Sequence, residues 1–188
     1  MLPYLDMPVQ HAADGVLRRM GRGYRGEEVL DLISNLRREV PDLALRTTVM
    51  VGFPGESEAD FATLCDFVTA ARFDWLGAFA YCREEGTAAA SWDDVPDEVT
   101  REARKSRILE IQRAITLTRN RARLGKSEAV LVVAGDGSGG FWGRCRFQAP
   151  EVDGITYLQS PRLLEPGQLL EARLVGARAY DLVGEVRE

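Results

Sequence analysis

Histidine occurs once in this sequence, at His11, and lysine only twice, at Lys105 and Lys126. Cysteine is nearly as rare. Cys65, Cys82 and Cys145 lie far apart, which excludes a disulfide framework and any familiar metal-ligand spacing, so they are expected to act as small hydrophobic side chains. No apolar run approaches the ~18 to 20 residues that cross a bilayer. The start, MLPYLDMPVQH, has neither a basic segment nor a small-residue cleavage site, so no membrane partner is expected and the cytoplasm is the expected compartment. Positive charge is also short, and the net charge of -5 argues against a non-specific nucleic-acid coat while suiting a basic protein partner.

What is present divides in two. Before Gly125 short apolar strands alternate with amphipathic helices, whereas after it turn signals recur and no long helical pattern is found. The expected fold is therefore α/β followed by all-β, with domains at 1–124 and 125–188. In the first part, residues 4–9 and 73–81 read as strands flanking a third, LALRTTVMVGF, which has too many apolar residues in a row for one wet face and suggests a buried parallel strand. Between them EEVLDLISNLRREV places Val29, Ile33, Leu36 and Val40 on one helical face. A second helix is expected from Ser57, where Asp60 completes a capping box. Strand, helix, strand, helix, strand predicts right-handed parallel crossovers. A long charged helix over 97–123, with Ile108, Ile111 and Ile115 on one face, leads into the second part. There EAVLVVA, GFWGRCRF, ITYLQ, LLEARLVGA and YDLVGEV predict five strands of a small OB-like barrel, with GDGSGG joining the first two.

The candidate site gathers at the carboxyl ends of the first-part strands, where α/β folds place ligands. Gly52 and Gly55 let backbone approach a ligand, Pro54 stiffens the turn, and the following helix start offers N–H groups to an anion. A tight capped turn would account for the same residues. Gln10 and His11 end the preceding strand and are expected at the same rim, His11 either as a hydrogen bonder or as a catalyst. Arg46, inside an apolar strand, needs a buried acid or a ligand carboxylate. Glu56 suits a ligand amine or the helix dipole.

Three stretches carry a resemblance: YLDMPVQHAADGVLRRMGRGYRGEEVLDLI, RTTVMVGFPGESEADF and FDWLGAFAYCREEGTAAA. In order and spacing they resemble the last three strand-helix units of the radical S-adenosylmethionine methylthiotransferases, and the segment after Gly125 resembles the TRAM domain that closes those enzymes. The likeness is strongest to the RimO type, which modifies an aspartate of a small-subunit ribosomal protein. His11 and Ala12 stand where the tRNA-modifying MiaB type has serine and glycine, and APEVDGITYL is a RimO-type feature. The resemblance implies the carboxyl-terminal half of a partial (βα) barrel. It also implies S-adenosylmethionine as cofactor, bordered by Gln10, His11, Arg46, Thr48, Gly52, Phe53, Pro54, Gly55, Glu56 and Tyr81.

The family also holds 4Fe-4S clusters, one of them on a C-x-x-x-C-x-x-C loop. Clusters need several thiolates converging on one point. This sequence has no such loop, so the resemblance implies a carboxyl-terminal fragment that is inactive alone, with the clusters confined to the full-length enzyme. In the complete enzyme it implies radical insertion of a methylthio group at the aspartate β-carbon. From residue 127 onward six arginines face nine acids, which suits a basic ribosomal protein, and the ribosome with it, better than RNA. A MiaB-like fragment and a stand-alone RNA-binding barrel are the alternatives. For the latter, Phe141, Trp142 and Tyr157 either stack bases or fill the barrel.

Overall fold

The computed structural model describes residues 2–135 and 140–186. Most of the expected GDGSGG connection lies outside the described residues. The chain divides into two compact units, one of Leu5–Gln112 and one from Arg113 onward that includes the amino-terminal residues through Tyr4.

The first unit is built on a three-stranded sheet of order β1 (Tyr4–Asp6), β2 (Ala44–Val51), β3 (Trp75–Ala80), with β2 and β3 parallel. Strand β1 is shorter than its apolar run suggests. Pro8 has no N–H to give, and the Val9 N–H goes to the Thr47 hydroxyl, which itself donates to the Met7 carbonyl. Pairing resumes for one bridge only, at Gln10 and Val49, with Gln10 in the left-handed region (φ 60). Strand β2 alternates instead of being buried on both faces. Leu45, Thr47, Val49 and Val51 are fully buried, while Arg46, Thr48 and Met50 are half-buried. The parallel register sets Gly77 and Phe79 beside Thr48 and Met50, on that second face.

Four α-helices and a short 3-10 helix (Ala88–Ser91) occur among the described residues. α1 (Asp14–Arg19) is a short helix that the apolar pattern does not announce. In α2 (Gly26–Glu39) Val29 and Ile33 are buried as expected, but Val40 lies past the helix end and is exposed. α3 (Glu58–Ala71) begins at the expected box, with Ser57 Oγ accepting from the Asp60 N–H and Asp60 accepting from the Ser57 N–H. α4 (Glu98–Ala122) buries Ile108 as expected, but the stripe through it is not the one that continues to Ile111 and Ile115. Arg104, Ile108, Gln112, Thr116 and Asn120 recur every fourth residue and are all buried, while Ile111 and Ile115 are only half-buried. Polar side chains hold this face because they find partners: Gln112 donates to the Phe73 carbonyl at 2.8 Å and Asn120 to the Tyr180 carbonyl at 3.3 Å.

The second unit is a closed barrel of order β4 (Ser127–Gly135), β5 (Phe141–Cys145), β6 (Thr156–Gln159), β8 (Leu182–Val186), β7 (Leu169–Ala177). All pairings are antiparallel except β6 with β8. Inward residues alternate with outward ones, so Val130 and Val132 are buried and Leu131 is exposed. Gly143 pairs with Val132 and with Thr156, and a Cβ there would strike the Leu131 carbonyl and come within 2.7 Å of Val130 Cγ1. Gly143→Ala is therefore expected to destabilise the barrel by about 1–3 kcal/mol, because a backbone carbonyl cannot step aside as a side chain can. Urea unfolding followed at the neighbouring Trp142 measures it.

Candidate functional site

The turn after β2 is shaped from within by one carboxylate. Gly52 (φ 69) and Gly55 (φ 80) take the left-handed conformation that lets residues 52–56 double back. That brings the Glu56 side chain, fully buried, under its own loop. Glu56 Oε2 accepts the Gly52 N–H and, at 3.2 Å, the Phe53 N–H. Its Oε1 accepts from Arg104 Nη1 at 3.1 Å, and the same nitrogen reaches the Glu56 backbone carbonyl at 3.2 Å. Arg104 Nη2 donates to Glu58, and its guanidinium lies 5.3 Å over the Phe61 ring. Burial raises the Glu56 carboxyl above its ordinary pKa, outweighing the pull of Arg104 and the two amides.

His11 completes this cluster from behind. Its Nδ1 accepts the Ala13 N–H at 3.0 Å, so the neutral ring carries its proton on Nε2, 3.8 Å from Glu56 Oε2. Burial lowers its pKa to about 4, and it is neutral at pH 7.

The open side of the loop is aromatic. The Phe53 ring meets Tyr81 edge-on at 5.4 Å and Trp92 at 5.9 Å. Arg19 lies 4.6 Å over Trp92 and donates from Nη2 to both carboxylate oxygens of Asp94, whose backbone carbonyl accepts the Gly55 N–H. Phe53, Trp92 and Arg19 border a cavity of about 290 Å³ that Gln10, Met50 and Arg22 also line. Tyr81 is buried against Phe53, its hydroxyl without a hydrogen-bond partner among the described residues.

The expected residues thus fall into three places. Gln10 and Phe53 line the cavity. Arg46 and Thr48 lie farther back on the same sheet face, where Arg46 binds the half-exposed Asp6 at 2.8 Å, in place of a buried acid, and Thr48 at 3.4 Å. His11 and Glu56 are buried behind the loop and do not present themselves at the rim. The loop N–H groups are likewise taken, those of Gly52 and Phe53 by Glu56, that of Gly55 by Asp94 and that of Ser57 by Asp60, and at the helix start the Asp60 N–H goes to Ser57 Oγ. Pro54 is buried and shapes the turn. Arg19, Arg22, Met50, Trp92 and Arg104 escape a reading by motif. Only Arg104 leaves a trace, as a charge one turn before Ile108 on what proves to be the buried stripe.

No group of three or more His, Cys, Asp or Glu able to hold a metal ion occurs among the described residues. Cys65 is half-buried on α3, Cys82 is exposed, and Cys145 is buried in the barrel, where burial pushes its thiol up to about 11. The donor set does not fit an iron-sulfur cluster. No helix among the described residues is long and apolar enough to cross a membrane. In the barrel Phe141 is buried, while Trp142 and Tyr157 are register partners and Tyr157 is covered by the Arg178 guanidinium at 5.3 Å.

Two families match parts of the chain: the Radical SAM superfamily over residues 2–68 and the TRAM domain over residues 124–186. Curated relatives align along nearly all of it. The proteins named ribosomal protein uS12 methylthiotransferase RimO from Syntrophomonas wolfei, Desulforudis audaxviator and Aquifex aeolicus are 46%, 48% and 44% identical over 98%, 97% and 100% of this chain. The chain spans 42%, 40% and 44% of their respective lengths. Among solved structures, coproporphyrinogen III oxidase (HemN) from Escherichia coli, a radical SAM enzyme, aligns with a TM-score of 0.47 and 26% identity over 62% of this chain and 26% of that one.

Proposed function

We propose, from the likeness along nearly the whole chain to RimO methylthiotransferases, that it is the carboxyl-terminal part of an enzyme that methylthiolates an aspartate of a small-subunit ribosomal protein. The observation that carries this is identity of 41–48% along nearly the entire chain to proteins bearing that one name. Residues 1–124 supply part of the cofactor wall and 125–188 the barrel that meets the target, in the cytoplasm where ribosomes work. The acidic balance of the barrel favours a basic ribosomal protein, and the ribosome around it, over RNA.

The cavity fits part of S-adenosylmethionine. Phe53 and Met50 offer apolar surface to the adenosyl group, Gln10 an amide for hydrogen bonding, and Arg22 a cation for the carboxylate. When bound, that cofactor supplies the radical and methyl chemistry of the family. The protein's share is to hold it against the rim and exclude water. His11 and Glu56 act on this wall from behind, and Arg46 with Thr48 would meet the part of the cofactor or substrate that reaches farther back along the sheet face. Because the thiols here do not fit a 4Fe-4S cluster, we place the cluster-holding cysteines elsewhere in the full-length enzyme, and the chain by itself has no turnover.

Titration calorimetry with S-adenosylmethionine on the complete enzyme tests the site. Alanine at Gln10 and Arg46 together is expected to weaken binding by roughly tenfold or more, about 1.4 kcal/mol. Unchanged affinity would remove both residues from the site.

A further inference from the structure

The most heavily connected side chain near the cavity does not touch it. Arg104 belongs to α4, is 6% exposed, and spends its guanidinium on three acceptors: the Glu56 carboxylate, the Glu56 carbonyl and Glu58. Glu56 in turn holds the amides of Gly52 and Phe53. The neighbouring Arg101 closes the same corner, its alkyl stem filling the space that a Cβ on Gly52 would occupy and its Nη1 donating to the Tyr81 carbonyl. One turn of α4 therefore grips both the loop after β2 and the end of β3, the two segments that carry the Phe53 and Tyr81 rings.

We propose that Arg104 is a positioning residue: acting through Glu56, it fixes the Gly52–Phe53 peptide and with it the orientation of the Phe53 ring that walls the cavity. A buried carboxylate with two amides on one oxygen keeps that geometry only while its charge is balanced. Arg104 provides the balance, with a planar fork that serves the side chain and the backbone of Glu56 at once. His11 cannot take over, because it is neutral at pH 7 and its Nε2 lies 3.8 Å away. The functional meaning of this lock rests on the cofactor reading above, but the lock itself is independent of it.

The test is amide hydrogen exchange on the full 188-residue chain, comparing Arg104→Met, Arg104→Lys and Glu56→Gln with the parent, together with S-adenosylmethionine affinity of the same variants in the complete enzyme. In Arg104→Met the Gly52 and Phe53 amides are expected to exchange roughly tenfold faster or more, while amides within β2 and within the barrel keep their protection. Arg104→Lys, which keeps the charge and loses the fork, should fall between, and it serves if the methionine variant does not fold. Unchanged exchange at Gly52 and Phe53 would overturn the proposal. So would a uniform loss across residues 5–112, the mark of a merely structural role. If the two amides loosen in step with weakened S-adenosylmethionine binding, lock and cofactor reading both stand. If they loosen while the complete enzyme's affinity for S-adenosylmethionine is unaltered by the substitutions, or absent without them, the lock stands and the cofactor reading fails.

Discussion

Glu56→Ala is expected to destabilise the unit of residues 5–112 by about 3–5 kcal/mol, the cost of removing one partner from a buried ion pair. Three groups are stranded together. The Gly52 and Phe53 amides lose their acceptor, and Arg104 keeps a positive charge in a site from which water is excluded. Glu58 does not compensate, since its side chain is 81% exposed and its charge is shared with solvent. Glu56→Gln retains one carbonyl oxygen for the two amides and gives up only the charge, so its cost should be smaller, about 1–3 kcal/mol. Urea unfolding of the two variants beside the parent measures both. Equal and small losses would mean that the loop holds its shape through Gly52, Pro54 and Gly55 alone.

Acidification should weaken the same unit through His11. In the unfolded chain the imidazole takes a proton near its ordinary value of 6.5, and in the fold only near 4. Between those values the unfolded state binds more protons. The contribution of neutral His11 is therefore fully present above about pH 6.5 and is lost as pH falls toward 4, by up to roughly 3 kcal/mol. Glu56 acts in the opposite sense, because its raised carboxyl takes a proton more readily in the fold than out of it and returns part of that loss. His11→Gln removes the titration while keeping a side-chain oxygen for the Ala13 N–H. Unfolding free energies of parent and variant, measured from pH 7 to pH 4, are expected to converge as the parent loses stability. Curves that stay parallel would show that His11 does not titrate between folded and unfolded states in this range.

Legibility in the sequence follows the locality of the cause. The α3 box was readable because Ser57 and Asp60 satisfy each other within one turn, whatever surrounds them. The five barrel strands were readable because alternation is a property of the chain itself, and β7 falls where LLEARLVGA places it. The closure of those strands, and the parallel pairing of β6 with β8, depends on long-range partners. For α4 the pattern misled. Of the three isoleucines only Ile108 lies on the buried stripe, which continues through Gln112, Thr116 and Asn120, whose burial is tolerable only where a carbonyl or other partner waits.

By itself the sequence determined two architectures in succession, the helix starts and turn glycines that give them their outline, and the kinship through motifs in a fixed order. These follow from local sterics, periodicity and composition, which act before any distant contact forms. Only the tertiary structure decided which site residues face outward. Glu56 and His11 share rim motifs with Phe53 and Gln10, yet both turn inward: Glu56 because Arg104, 48 residues along the chain, offers its buried carboxylate a counter-charge, and His11 as a neutral ring whose Nδ1 accepts the Ala13 N–H. Sequence spacing does not reveal where such a partner will arrive, since the energy of a buried charge is fixed by what the fold brings beside it.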